Sequence, residues 1–312
     1  VPTVVAGFVP IWALTGVGYL VRRTNLFGLA AERALTRVVF YLAMPAVLFT
    51  TLSRVSLDGL ASGSILAFAA STVLVGALGL AASRWLFRRR LADQAIGGMS
   101  SAYVNAANLG IPVAITVLGD PSFVVAALMF QLLVVMPTVL TLIDTDLNAG
   151  GGGRYAAIRR VLLLPVRNPV ILGAAGGLAI AALGWKLPPL LAQPLDLLGG
   201  AGVPLALLVL GMSLFGRAES ADLPRRSEVL VVVTLKIVLQ PLVCFLIGRF
   251  ALGLDGPALL AAVLFAALPT AQNAFVFASQ YQLRAGALAR DSILLTTLLS
   301  MASLTLITYL LS

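Results

Sequence analysis

Residues 100–119 read SSAYVNAANLGIPVAITVLG, and residues 266–282 read AALPTAQNAFVFASQYQ. Both stretches are apolar enough for a membrane core, yet both set a proline among amides. Asn105 and Asn108 precede Gly110-Ile111-Pro112, and Pro269-Thr270 precedes Gln272 and Asn273. Proline removes a backbone N–H and clashes with the carbonyl one turn earlier. Glycine tolerates an unwound turn. Polar side chains inside a bilayer are costly and usually face a cavity or the bundle interior. The two stretches therefore predict helices broken near mid-membrane. Half-helix N-termini present free N–H groups and a partial positive charge. Aimed into a wet cavity they favour an anion, and Asn and Gln amides add hydrogen bonds to a carboxylate. Unwound carbonyls can instead hold Na⁺, and the amides can also serve only to satisfy the freed backbone groups.

The rest of the chain supports a membrane setting. Of 312 residues, 60% are hydrophobic and only 11% charged, against about 25% charged in a soluble domain. A membrane-spanning helix needs about 20 mostly apolar residues. Ten such segments are read at 3–21, 33–53, 63–86, 95–118, 121–143, 168–184, 195–215, 228–250, 257–281 and 291–311. The expected fold is an all-α polytopic membrane protein, with its first segment too long to be a cleaved signal peptide. The chain has no His and one Cys, Cys244. Disulfide frameworks, His-ligated metals, Ser-His and Cys-His catalysis and histidine switching are thereby excluded. No metal site or bound cofactor is expected, apart from Na⁺ as a coupling ion.

The net charge of +9 is distributed by position. Of 21 basic residues, 17 fall in the loops after segments one, three, five, seven and nine, including Arg22, Arg88, Arg89, Arg159, Arg225 and Arg290. Basic loops stay on the cytoplasmic side. Both termini are then extracytoplasmic, in a bilayer expected to be a bacterial cytoplasmic membrane. The basic balance marks a membrane face, not a nucleic-acid footprint.

Ten segments divide as five and five, and two pairs of them correspond. Segments two and seven each carry a proline in an apolar run, MPAVLF at Pro45 and VPLALL at Pro204, both candidate hinges. Pro45 lies 67 residues before Pro112, and Pro204 lies 65 residues before Pro269. An odd number of spans per half inverts the second copy, an architecture common in secondary transporters. The halves are expected at 1–147 and 168–312, joined by a Gly-rich linker at 148–167 that contains NAGGGGR.

Other intramembrane polar residues have two readings each. Lys236 attracts a carboxylate or holds the crossing region as a charge partner; alternatively it snorkels or bonds a helix C-terminal carbonyl. Gln131 lines the cavity or bonds a neighbouring helix. Gly173 and Gly177 have GxxxG spacing, which serves packing within the bundle or a homodimer. Asp196 and Glu32 are expected at segment edges, Glu32 as a surface charge. No carboxylate lies deep in a span, so a proton relay lacks its usual groups. Transport driven by the substrate gradient and potential, or coupled to Na⁺ through neutral oxygens, is expected instead. An anion-selective channel is the alternative, compatible with the mid-span proline breaks although no ring of pore charges or repeated short filter is visible; an intramembrane enzyme would need a catalytic motif, and none appears.

Asn105 five residues before Gly110-Ile111-Pro112, the run Pro269-Thr270-Ala271-Gln272-Asn273-Ala274, RNPVILGAAGGLAI (167–180) and VPLALLVLGMSL (203–214) resemble the auxin efflux carrier family over nearly the whole chain. The resemblance implies ten helices in two inverted five-helix repeats, with broken helices four and nine crossing. It implies a secondary carrier of small organic anions, with a substrate site around Asn105, Asn108, Gly110, Pro112, Gln131, Pro269, Thr270, Gln272 and Asn273. The long hydrophilic central loop of many plant members is absent here, which places the chain nearer the compact bacterial carriers.

Overall fold

In a computed structural model, residues 2–54, 62–110, 113–118, 122–147, 169–185, 187–215 and 225–311 are described. The expected linker and Pro112 lie outside them, as do the side chain of Asn108 and that of Pro2. All regular elements among the described residues are helical. Six helices are long and apolar enough to cross a membrane: α2 (Leu29–Ser53), α3 (Gly63–Trp85), α5 (Phe123–Leu147), α7 (Pro189–Phe215), α8 (Arg226–Ala251) and α11 (Gly286–Leu311). Between them lie α1 (Pro2–Arg23), α4 (Leu91–Ala102), α6 (Pro169–Ala182), α9 (Gly256–Ala266) and α10 (Asn273–Gln280).

Prolines leave a consistent mark. Wide i→i+5 turns at Val39–Ala43, Gln131–Val135 and Leu235–Leu239 end two residues before Pro45, Pro137 and Pro241. Proline cannot donate and its ring crowds the carbonyl four residues back. Widening the preceding turn relieves both problems without ending the helix. So α2 continues through Pro45. Pro204 stands just after Ala201, the one residue of α7 in a non-helical turn.

Helices α1 and α7 pack closely, as do α6 and α2. Small residues permit this. A Cβ on Gly173 would sit 2.3 Å from the Pro45 carbonyl oxygen, and one on Gly177 would sit 2.5 Å from that of Phe49. Gly211 meets the Thr15 carbonyl at 2.0 Å in the same sense. The GxxxG glycines of α6 thus face α2 inside the bundle. Helices α3, α4, α5, α8, α9 and α11 pack around a shared core that holds Phe68, Ile96, Leu109 and Phe265. Leu74, Leu78, Leu230, Val238, Leu298 and Leu306 point outward, an apolar surface suited to lipid, which cannot hydrogen-bond to exposed backbone.

Three details differ from the sequence reading. Helix α7 begins at Pro189, so Asp196 lies within it and pairs with Arg54 at 2.6 Å. Glu32 lies in α2 and faces a polar cavity with Arg22 and Arg290. In the fourth segment the helix opens at Tyr103–Asn105, ahead of Gly110 and Pro112, and then resumes as a wide turn over Ala106–Gly110.

Candidate functional site: two paired helix breaks

Helix α4 stops at Ala102, and Tyr103 turns extended at φ −79°, ψ 114°. Helix α9 stops at Ala266, and α10 starts at Asn273, with Pro269 in the gap. The two gaps lie against each other. Val104 and Thr270 form an antiparallel bridge. The Asn105 N–H donates to the Pro269 carbonyl at 2.8 Å, and the Ala271 N–H donates to the Tyr103 carbonyl at 3.2 Å. Each break thus supplies partners for backbone groups that the other has freed.

Side chains complete the accounting that buried backbone demands. Gln131 of α5 accepts from the Val104 N–H at 2.7 Å and donates to the Val104 carbonyl at 3.1 Å. The Thr270 hydroxyl donates to the Ser100 carbonyl at 2.6 Å, while its N–H donates to the Thr296 hydroxyl at 3.1 Å. Lys236 is fully buried; its Nζ donates to the Ala266 carbonyl at 2.8 Å and to Gln240 Oε1 at 2.5 Å. The Gln240 amide donates in turn to the Ala102 carbonyl at 2.9 Å and to Thr72 at 3.1 Å. One Lys-Gln pair therefore caps the C-termini of both α4 and α9. Its N–H donors satisfy carbonyls that the helix ends leave without an intrahelical partner.

Elsewhere the breaks line a cavity of about 100 Å³. Tyr103, Asn105, Gln131, Gln272 and Asn273 supply its polar wall; Met44, Val47, Leu48, Val203 and Ala206 supply the apolar one from α2 and α7. Gln272 Oε1 is buried without a partner, and the Asn273 amide reaches the Tyr103 hydroxyl at 3.4 Å. The N-terminus of α10 opens beside these amides. Among the described residues the wall carries no charged side chain.

The structure thus brings Asn105, Gln131, Gln272 and Asn273 together around one cavity. Thr270 and Pro269 lie in the crossing itself, Gly110 packs toward Phe265, and Lys236 lies outside the cavity lining. Pro45 and Pro204 sit on the helices that form the apolar wall. Gln240, Thr296 and Thr72 were missed by the sequence reading. Gln240 was detectable, being one helical turn from Lys236 and so on its face.

A family model described as "Membrane transport protein" matches residues 3–150 and 154–308. The chain belongs to this family, that of the auxin efflux carriers. It is an integral membrane transporter, and the family and its relatives are transporters and not enzymes. The chain is 32% identical over 308 residues to a "Putative malonate transporter" of Rhizobium meliloti, covering 96% of this chain and 93% of that one. It is 29% identical over 303 residues to an "Uncharacterized transporter" of Methanothermobacter thermautotrophicus, covering 95% and 94%. It is also 28% identical over 128 residues to "Auxin efflux carrier component 8" of Arabidopsis thaliana, covering 41% of this chain and 34% of that one. The family agrees with the resemblance read from the crossing motifs.

Proposed function

We propose that the chain is an alternating-access secondary carrier of small organic anions such as carboxylates, with its site where the two broken segments cross. The observation that carries this reading is the mutual pairing of the breaks beside a small amide-lined cavity. The pairing satisfies the unwound backbone from within the protein, so the N-terminal end of α10 and the amides of Asn105, Gln272 and Asn273 are left to face a ligand. A helix N-terminus and neutral N–H donors attract a carboxylate without a fixed counter-ion. Such a ligand can leave again, as a carrier requires. The Rhizobium relative's name supports a small dicarboxylate.

In this reading the chain has ten spans in two inverted repeats, 1–147 and 168–312, with α4 and α9–α10 contributing the broken ones. The matched packing of α1 on α7 and of α6 on α2 supports that symmetry. The group α1, α2, α6 and α7 then moves against the crossing, exposing the cavity to alternate sides. Both termini are extracytoplasmic, in a cytoplasmic membrane.

A second reading is Na⁺ coupling, favoured by the unpartnered buried oxygen Gln272 Oε1, since neutral oxygens suit hard cations. Proteoliposome uptake of radiolabelled malonate tests both readings. Saturable uptake with counterflow supports a carrier, stimulation by a Na⁺ gradient at clamped potential supports coupling, and non-saturating flux contradicts the carrier reading.

A further inference from the structure

At the far end of α10 from Asn273 lies a second cavity, of about 360 Å³. Its wall includes Arg22, Glu32, Ser213, Ser279, Arg284 and Arg290. We infer that it is an anion-binding antechamber, which holds the carboxylates of the substrate at the arginine-rich mouth before they reach the amides. The identity of that anion rests on the function proposed above.

The argument begins with Arg290, which is 4% exposed. Its Nη1 donates to the Ser213 carbonyl at 2.8 Å, and its Nε donates to Asp291 at 3.0 Å. Its Nη2 is buried with no partner, and so is Nε of Arg22, whose guanidinium lies 5.9 Å from the Phe215 ring centre. A guanidinium stays charged and presents a rigid fork of donors that matches a carboxylate. Elsewhere the protein completes such a fork itself: Arg89 grips Glu228 through both oxygens, at 3.0 and 2.6 Å. At the antechamber two such nitrogens, Arg22 Nε and Arg290 Nη2, meet no acceptor among the described residues. Asp291 accepts from Nε of Arg290, and Glu32 lies on the same wall as Arg22 and Arg290.

Position links the two cavities. Asn273 faces the amide cavity, and Ser279 faces the antechamber. Six helical residues separate them, about 9 Å along the axis. An anion drawn in by the arginines is then about 9 Å along α10 from the amide site, and guanidinium groups at the mouth raise its local concentration there.

Isothermal titration of malonate into the purified full chain tests this, using the parent protein, Arg22→Gln, Arg290→Lys and the double variant Asn105→Ala/Asn273→Ala. The expected result is two classes of site. In the asparagine variant one class remains, weakening as NaCl rises; Arg22→Gln and Arg290→Lys each weaken that class about tenfold and spare the other. Arg22 is only partly buried, so its variant keeps the test decisive should the buried Arg290 variant fold poorly. Malonate binding unchanged in Arg22→Gln, or wholly lost in the asparagine variant, overturns the antechamber. Binding lost only in the arginine variants upholds it while contradicting the amide site. Displacement of malonate from the arginine class by equimolar inorganic phosphate or phosphatidylglycerol overturns the carboxylate assignment in favour of a phosphate site.

Discussion

The carboxamide of Gln131 holds both backbone groups of Val104, accepting from its N–H at 2.7 Å and donating to its carbonyl at 3.1 Å. A side chain on α5 thereby substitutes for the helical partners that Val104 lost when α4 opened. Gln131→Ala orphans both groups, and a buried orphan costs about 1–3 kcal/mol. The expected outcome is a thermal unfolding midpoint clearly below that of the parent protein in detergent. Gln131→Leu, similar in size, should fall as far. An unchanged midpoint in both would show that the break is held by other means.

Lys236 gives a contrasting prediction. Its amino group joins the Ala266 carbonyl to Gln240 and lies outside the cavity lining. Lys236→Met should lose about 1–3 kcal/mol for each acceptor left unpaired. Malonate affinity of the folded fraction should shift by less than about threefold, under 1 kcal/mol. A tenfold or greater loss of affinity at full folding would assign the lysine to the ligand instead. Thermal unfolding and titration on the same preparation separate these outcomes.

The breaks themselves were legible because proline among amides in an apolar run has few other uses. The family likeness rested on the same residues. The exact opening of the fourth segment was not legible. Gly110 and Pro112 raise the cost of a regular helix nearby, but the chain opens where acceptors and donors await it, at Tyr103–Asn105. Those partners, Pro269, Gln131 and Ala271, come from two other segments. The two readings of Lys236 stayed open for the same reason: a sequence shows that a cation is buried, not which helix end it meets. Glu32 looked like a surface charge because its neighbours in sequence are arginines; Arg22 and Arg290 reach its cavity from α1 and α11.

Packing of α6 on α2 allows no added atoms. A Cβ at Gly177 would lie 2.5 Å from the Phe49 carbonyl oxygen. Overpacking of this kind costs about 1–3 kcal/mol. Gly177→Val should reduce the yield of folded protein and lower its unfolding midpoint, whereas Gly200→Val, at a glycine with nothing within 4 Å, should leave both nearly unchanged. Equal behaviour of the two variants in fluorescence-detected size exclusion would contradict the close α2–α6 approach.

Among the described residues the cavity wall carries amides and no charge, so a dianion transported as proposed brings its full charge across the membrane. Uptake into proteoliposomes should accelerate under an inside-positive potential and slow under an inside-negative one. A pH gradient imposed at clamped potential should add little. A proton gradient that drives uptake at zero potential would contradict this account and require a titrating group in the path.

The central claim is that the ligand sits among the amides at the paired breaks. Its most direct test is equilibrium binding of radiolabelled malonate to Asn105→Ala and Asn273→Ala, measured beside Lys236→Met, on protein shown to be folded. The account predicts that both asparagine variants lose the salt-insensitive class of binding while Lys236→Met keeps it. Parent-like affinity in both asparagine variants would contradict it.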